Sequence, residues 1–486
     1  MDSIRLQNFR SIKDSGDIKI NKINVLLGKN SSGKSSFLRV FPLFNASIKH
    51  ELKGPLLWFD EEYDYGSFQN TLYRGAEEDD KHIHFTFKWK VLPEDAPSYL
   101  KNTHDVEVEM VIGDEQEKTI LSELIIKTNE TKVRFVSQQG DILKPLVYLN
   151  SKRIAFKEFN WRYEVKGILP GVSMRISDTP LMINILKIQE KLKAKLNIKE
   201  PSILDMFGIE SLSENSIAKK IGELTNIGSE NKKFIADLRA MINMAIINDL
   251  YRYCDAYITA NFDQSYYITP LRFSTARFMR DSDFSVDRID ASGKNAINYI
   301  ASLDKNKLNK LNVFLGRTLK AQVKTSGTSN KELVIYDKDD NEYNIVDVGY
   351  GYTQLLPIAL MLWNIATKKN NSQKIAIIEQ PEVHLHPSMQ KLLAHLFIEA
   401  IKLAKSNQIN LRLIVETHSV YFVNMLGRYV YNKEQHFVTD EQDMHEVSAD
   451  DISIYLFEKY ENITNITQTS YDENGRIKQW PIGFLD

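Results

Sequence analysis

Cysteine occurs once in this chain, at Cys254. A single thiol excludes an internal disulfide and any cysteine-built metal cage, and it fits a reducing compartment. An excess of charge of one sign is also missing. Lysine and arginine number 62 against 64 aspartates and glutamates, so no global field draws the chain to nucleic acid or to an acidic membrane, and any such contact has to be local. Long apolar runs are missing too. Met1 to Lys13 mixes charged and apolar residues, unlike a signal peptide or a membrane span. The expectation is a cytoplasmic protein, neither exported nor embedded. No repeat of solenoid period and no low-complexity stretch interrupts it, and 486 residues suffice for two or three structural units around a large core.

What is there begins with strands. Ser3 to Phe9 alternates, Ile18 to Ile20 resumes, and Ile23 to Leu27 is an apolar run that ends in glycine and reads as a buried strand. Between His82 and Val136 the alternating segments HIHFTFKWKV, DVEVEMVIG and LIIKTNETKVRFV predict an antiparallel sheet. The middle changes character. LMINILKIQEKLKAKL and FIADLRAMINMAIINDLYRYCDAYI carry apolar residues at three- and four-residue spacing, which predicts helices of an inserted unit. Lys187, Lys191, Lys193, Lys195 and Lys199 give the first of these a modest basic face, diluted by Glu190 and Glu200 as a solvated surface would be. After Pro270, LVIYDKDDNEYNIV suggests a hairpin whose Asp337, Asp339 and Asp340 are turn residues rather than metal ligands, and a helix is expected from Thr353 to about Thr367. The segments expected are 1–150, 151–265 as the helical insertion, and 266–486.

Two strand ends carry chemistry. Gly28-Lys29-Asn30-Ser31-Ser32-Gly33-Lys34-Ser35, followed by Ser36, fits the phosphate-loop pattern G-x-x-x-x-G-K-[ST] between an apolar strand and a helical segment. Glycines let the backbone turn N–H groups onto phosphate oxygens, and the start of the next helix offers its positive end to the same charge. Lys34 is then suited to the β- and γ-phosphates and Ser35 to magnesium. Further on, Ile375-Ala376-Ile377-Ile378-Glu379 is a second apolar strand delivering a carboxylate at its C-terminal end, which makes Glu379 the expected magnesium partner.

Gln380-Pro381-Glu382-Val383-His384-Leu385-His386-Pro387, Val415-Glu416-Thr417-His418-Ser419 and the opening Leu6-Gln7-Asn8-Phe9-Arg10-Ser11 complete a set that resembles the ABC-type ATPases related to RecF, SMC heads and the OLD proteins. The resemblance covers about residues 1–75 and 265–486, including a tail from Asp472 to Phe484, and leaves the helical middle uncovered. It implies an α/β fold: an ABC-type P-loop ATPase head with an antiparallel β subdomain and a helical insertion. It further implies ATP and Mg²⁺ as ligands. His418 matches the switch histidine at the γ-phosphate, Arg10 with Asn8 and Ser11 matches a segment near the nucleotide, and Gln69 stands where a Q-loop residue would bridge magnesium to water. Gly349, Gly351 and Thr353 stand where the signature motif would be presented to a partner's γ-phosphate, although the serine of the usual form is absent. The chain also departs at Gln380, where relatives carry a catalytic glutamate. Glutamine orients water without accepting its proton, so either Glu382 takes that role or hydrolysis is slow. His384 and His386 lack an evident third ligand and are not read as a metal site.

Such a loop leaves one face of the γ-phosphate open, and a second copy would close it. The resemblance therefore implies a homodimer or higher oligomer joined through ATP-bound heads, with no membrane partner. The expected role is a sensor or regulator ATPase of prokaryotic anti-phage defence that controls a separate nuclease or toxin. No second catalytic site is evident, and with about sixty residues after His418 no TOPRIM nuclease module is expected, so the resemblance implies a separate effector. The alternative is a RecF-like repair ATPase that binds DNA through the lysine-bearing insertion. A transporter role ranks last.

Overall fold

The computed structural model describes residues 1–92, 94, 96–139, 141–156, 158–162, 167–175, 204, 207–225, 232–270, 272, 277–280, 285–327, 330–336, 341–348, 350–368, 373–434 and 447–480. Two compact units are interleaved along the chain. One comprises Met1–Ile18, Ala46–Trp58 and Tyr65–Thr259; the other comprises Lys19–Asn45, Phe59–Asp64 and Ala260–Asp486. This division differs from the three consecutive segments expected, because residues before 150 contribute to both units.

The first unit is built on an antiparallel sheet ordered Lys152–Ile154, Asp141–Leu149, Lys132–Gln138, Lys118–Thr128, Asp105–Glu115, Ile83–Lys90, Ser3–Phe9, Ile12–Asp14. Period-two burial explains it: Ile83, Phe85, Phe87 and Trp89 are buried, while the intervening His84 and Lys88 lie on the other face. The Lys232–Asp263 helix packs its Tyr257 on Trp89, ring centroids 4.3 Å apart, and sets Tyr251 edge-on to Phe135 at 5.5 Å. This helix contains the second of the two helical stretches expected from sequence. The first, with its five lysines, lies outside the described residues. Cys254 is fully buried, and desolvation raises its pKa well above the ordinary thiol value.

The second unit holds a six-stranded sheet ordered Ser265–Ile268, Lys374–Glu379, Leu411–Thr417, Ile23–Gly28, Ile452–Tyr460, Ile463–Thr469, parallel throughout except for the last strand. INVLLG and KIAIIE are buried at every residue, as strands covered on both faces must be. The helices Tyr350–Thr367, Pro387–Ser406 and Val420–Glu434 supply much of the cover. Lys374, fully buried, donates to the Ile365 and Lys368 carbonyls, satisfying the C-terminal end of the first of these helices. A smaller antiparallel sheet includes Gln322–Ser326, Asn330–Tyr336 and Glu342–Asn344; Asp337, Asp339 and Asp340 at the expected hairpin tip lie outside the described residues. The architecture is α/β with an antiparallel sheet, the expected class. Among the described residues no helix is long and apolar enough to cross a membrane.

Candidate functional site

The carboxyl ends of three neighbouring parallel strands, Lys374–Glu379, Leu411–Thr417 and Ile23–Gly28, meet in the second unit. From the last of them the chain turns through Lys29–Gly33 into a short helix, Lys34–Leu38. The turn requires glycine at two points. A Cβ on Gly28 would stand 2.3 Å from the Phe457 carbonyl oxygen, and Gly33 has φ +100°. Ser31 also takes left-handed backbone, φ 61°. Asn30 is exposed, Ser32 is buried, and Ser36 lies within the helix. The Lys34 side chain folds back: Nζ donates to the Lys29 carbonyl at 2.7 Å, the Gly28 carbonyl at 3.0 Å and Ser32 Oγ at 3.4 Å. Burial lowers its pKa to about 8 against the pull of Glu416, Glu382 and Glu379. An ammonium held this way releases three modest hydrogen bonds and gains charge-assisted ones when an anion enters the loop.

Two acids end adjacent strands. Glu379, 2% exposed, is gripped by Arg39, with Nη2 to Oε1 at 2.7 Å and Nε to Oε2 at 3.0 Å, and by the Tyr267 hydroxyl at 2.5 Å. Glu416, 1% exposed, accepts a hydrogen bond from Ser35 Oγ at 2.8 Å through Oε1, and its Oε2 has no hydrogen-bond partner. Burial and the nearby Glu379 charge push Glu416 up to about 6, opposed by Lys34, Ser35 and Gln380. Thus the serine expected beside Glu379 hydrogen-bonds Glu416 instead.

Beyond Glu379 the ladder continues one residue, with Gln380 N donating to the Glu416 carbonyl at 2.9 Å, and Gln380 then adopts φ 43°. Arg272 fixes this turn, donating to the carbonyls of Glu379 at 3.1 Å, Gln380 at 3.2 Å and Pro381 at 3.4 Å, and to Gln354 Oε1 at 3.4 Å. Glu382 Oε1 accepts the backbone N–H of His418 at 2.7 Å, while Glu382 Oε2 and His418 Nε2 are buried without partners. Burial raises the Glu382 pKa against that backbone hydrogen bond. Burial and the Lys34 charge bring His418 down to about 4, so the imidazole is neutral and carries one donor and one acceptor.

The structure thus brings Gly28, Ser32, Gly33, Lys34, Ser35, Glu379, Gln380, Glu382 and His418 to the sheet's carboxyl edge. Gly351 and Thr353 sit in the first turn of the Tyr350–Thr367 helix, Gly351 against Met389 and Thr353 buried; Gly349 lies outside the described residues. Arg10 and Gln69 belong to the other unit, where Arg10 lies 5.7 Å from the Tyr65 ring centroid and Gln69 is exposed on Phe68–Thr71. Sequence reasoning missed four residues. Glu416 had a signal: LRLIVE is an apolar strand ending in an acid, the same pattern as KIAIIE. Arg39, Tyr267 and Arg272 had none. Among the described residues no three His, Cys, Asp or Glu side chains group to hold a metal ion. Magnesium beside phosphates does not require such a group, since one or two protein oxygens complete a shell of phosphate and water.

Residues 1–423 match the family described as AAA ATPase domain, and residues 447–486 match one described as "Protein of unknown function (DUF3696)". Over 140 residues the chain is 31% identical to a protein described as "Endonuclease GajA" from Bacillus cereus (strain HuB5-5), a stretch that is 26% of this chain and 20% of that protein. An SMC head domain from Thermotoga maritima aligns with 96% of this chain and 97% of its own at 9% identity, TM-score 0.36. An Smc head domain with an extended coiled coil bound to the C-terminal domain of ScpA, from Pyrococcus furiosus, aligns over 96% of both chains at 12% identity, TM-score 0.36.

Proposed function

The chain belongs to the AAA ATPase domain family and is an ATPase, and on that premise we propose that it is a magnesium-dependent switch whose ATP-loaded copies associate and govern a separate nuclease or toxin subunit. The observation that carries this reading is the Lys34 loop. One buried lysine, parked on its own loop carbonyls, lies in the field of two buried carboxylates, Glu379 and Glu416, at the ends of neighbouring strands, and of Glu382 in the turn that follows. A triphosphate entering the loop would draw Lys34 from the Gly28 and Lys29 carbonyls onto its oxygens. Magnesium would neutralise phosphate charge there, held by Ser35 and the strand-end carboxylates, whose orphaned Glu416 Oε2 fits a cation. Neutral His418 would report the γ-phosphate by hydrogen bond, and Glu382, which holds the His418 backbone, would tie that report to the Gln380 turn. Gln380 would orient the attacking water, with Glu382 as the available base. Gly349 and Gly351 would serve the partner's nucleotide, each head gaining charge-assisted hydrogen bonds of roughly 1.5 to 3 kcal/mol from the other.

The short likeness to a protein described as an endonuclease supports a setting in which nucleic-acid cleavage is the output. The second reading is a RecF-like repair ATPase that contacts DNA directly. Calorimetric titration of MgATP separates the steps: the purified chain binds it, Lys34→Ala does not, and sedimentation with ATP reveals dimers that ADP fails to support. Absence of MgATP binding by the unmutated chain would overturn the proposal. Cleavage of DNA by the purified chain alone would remove the separate effector, and salt-dependent DNA binding without any effector would favour the second reading.

A further inference from the structure

Arg272 is 6% exposed, and among the described residues its hydrogen bonds all go to neutral oxygens. Nη2 donates to the Glu379 and Gln380 carbonyls, and Nη1 to the Pro381 carbonyl and to Gln354 Oε1. Burying a cation against dipoles alone is costly, so packing does not account for an arginine here. In an extended strand successive carbonyls point to opposite sides. Left-handed Gln380, φ 43°, breaks that alternation and lets three consecutive carbonyls converge on one guanidinium. The planar fork reaches all three and keeps a donor for Gln354. That fourth contact belongs to another element. Gln354, 4% exposed, lies in the opening turns of the Tyr350–Thr367 helix, just after Gly351. Sheet order brings the arginine there: Ser265–Ile268 runs parallel to Lys374–Glu379 with Ile268 opposite Ile378, so the chain beyond Ile268 continues beside the Gln380 turn.

We propose that Arg272 is a positioning residue that couples the start of the Tyr350–Thr367 helix to the Gln380 turn, so that closure of a partner's nucleotide on Gly351 sets the water-orienting geometry at Gln380 and Glu382. The assignment rests on the reading above, in which ATP-loaded copies associate. Gln354 meets the guanidinium from the helix, and the turn meets it through three carbonyls. A shift of the helix start moves Gln354 Oε1, and the group that follows it also holds the Gln380 backbone. Coupling between sites travels through packed, hydrogen-bonded contacts of this kind. Arg272 acts through the backbone of Gln380 rather than on the nucleotide itself.

The test compares phosphate release per site at protein concentrations below and above dimerisation, with the dimer fraction measured by sedimentation in ATP. In the unmutated chain the rate per site rises with the dimer fraction. Arg272→Lys keeps a cation and loses the planar fork: it should bind fluorescent ATP within twofold of the unmutated chain and still dimerise, while the rise shrinks to less than twofold. Gln354→Ala removes only the helix-side contact and should shrink the rise in the same way, and it carries the test if Arg272→Lys fails to fold. Gln354→Glu offers the guanidinium a carboxylate and should preserve the rise. An arginine that merely buttressed the turn would slow both rates by one factor and leave Gln354→Ala with the unmutated rise; either result overturns the assignment, as does a Gln354→Glu variant as flat as Gln354→Ala. A rate independent of dimer fraction in the unmutated chain also overturns it and leaves ATP binding and association standing. An unmutated chain that binds no ATP, or stays monomeric with it, takes down the reading beneath as well.

Discussion

Replacing Arg39 by methionine keeps an unbranched stem at the helix junction and removes the charge that meets Glu379. The guanidinium side chain is 35% exposed and its carboxylate partner 2% exposed. Breaking a buried ion pair costs about 3 to 5 kcal/mol because the remaining charge stays buried. Partial exposure of Arg39 and the surviving Tyr267 hydrogen bond place this case near the lower end, about 3 kcal/mol. At about 2 °C per kcal/mol for a unit of this size, the melting temperature in EDTA should fall by about 6 °C. Adding Glu379→Gln removes the stranded charge, so the double variant should recover at least half of that loss, which a packing defect would not allow. Calorimetric melts of the three variants and the unmutated chain measure the cycle. A single variant melting within 1 °C of the unmutated chain, or a double variant melting below the single one, refutes the argument that this pair holds a buried charge in place.

Gly28→Ala places a methyl 2.3 Å from the Phe457 carbonyl oxygen and must move the loop; fluorescent ATP binding should weaken at least tenfold, and unchanged affinity would show that the loop tolerates the shift. Gln380→Glu should speed single-turnover phosphate release by about tenfold or more with ATP affinity retained, whereas Glu382→Ala should slow it. Normal hydrolysis by Glu382→Ala would exclude that residue as the base. In the first unit, burial pulls the His84 pKa down, but hydrogen bonds to Glu109 and Asp80 raise it above 6.5 overall. A raised histidine pKa contributes stability that is complete below 6.5 and is lost as pH rises through the folded value. Urea denaturation of the unmutated chain should therefore show stability declining across that window, and His84→Gln should flatten the decline; parallel slopes would count against the linkage.

The local parts of the site were legible. GKNSSGKSS after INVLL could be read as a phosphate loop because glycine positions, an apolar strand and a following lysine are all short-range signals. IAIIE and LIVE both announce buried strands ending in acids, and the helix expected from Thr353 to about Thr367 is present as Tyr350–Thr367, one turn longer at its start. Glu416 lies inside Val415-Glu416-Thr417-His418-Ser419, whose local signal is the histidine, and nothing in sequence says which strand lies beside which. Thr353, a candidate donor to a partner, proved to be buried, a property that depends on what packs over the first turn of its helix.

By itself, then, the sequence determined the kind of chemistry: a lysine-bearing loop, hydroxyls, strand-end carboxylates and a histidine, each set by a few adjacent residues. Tertiary structure decided their partnerships. A parallel sheet orders its strands by crossover connections, so Leu411–Thr417 inserts between Lys374–Glu379 and Ile23–Gly28, strands separated from each other by over three hundred residues. That insertion gives Ser35 to Glu416, leaves Glu379 to Arg39 and Tyr267, and makes a unit out of distant pieces of chain. Hydrogen bonds and ion pairs reach only a few ångströms, so these pairings exist once the sheet has assembled and cannot be read from any one segment.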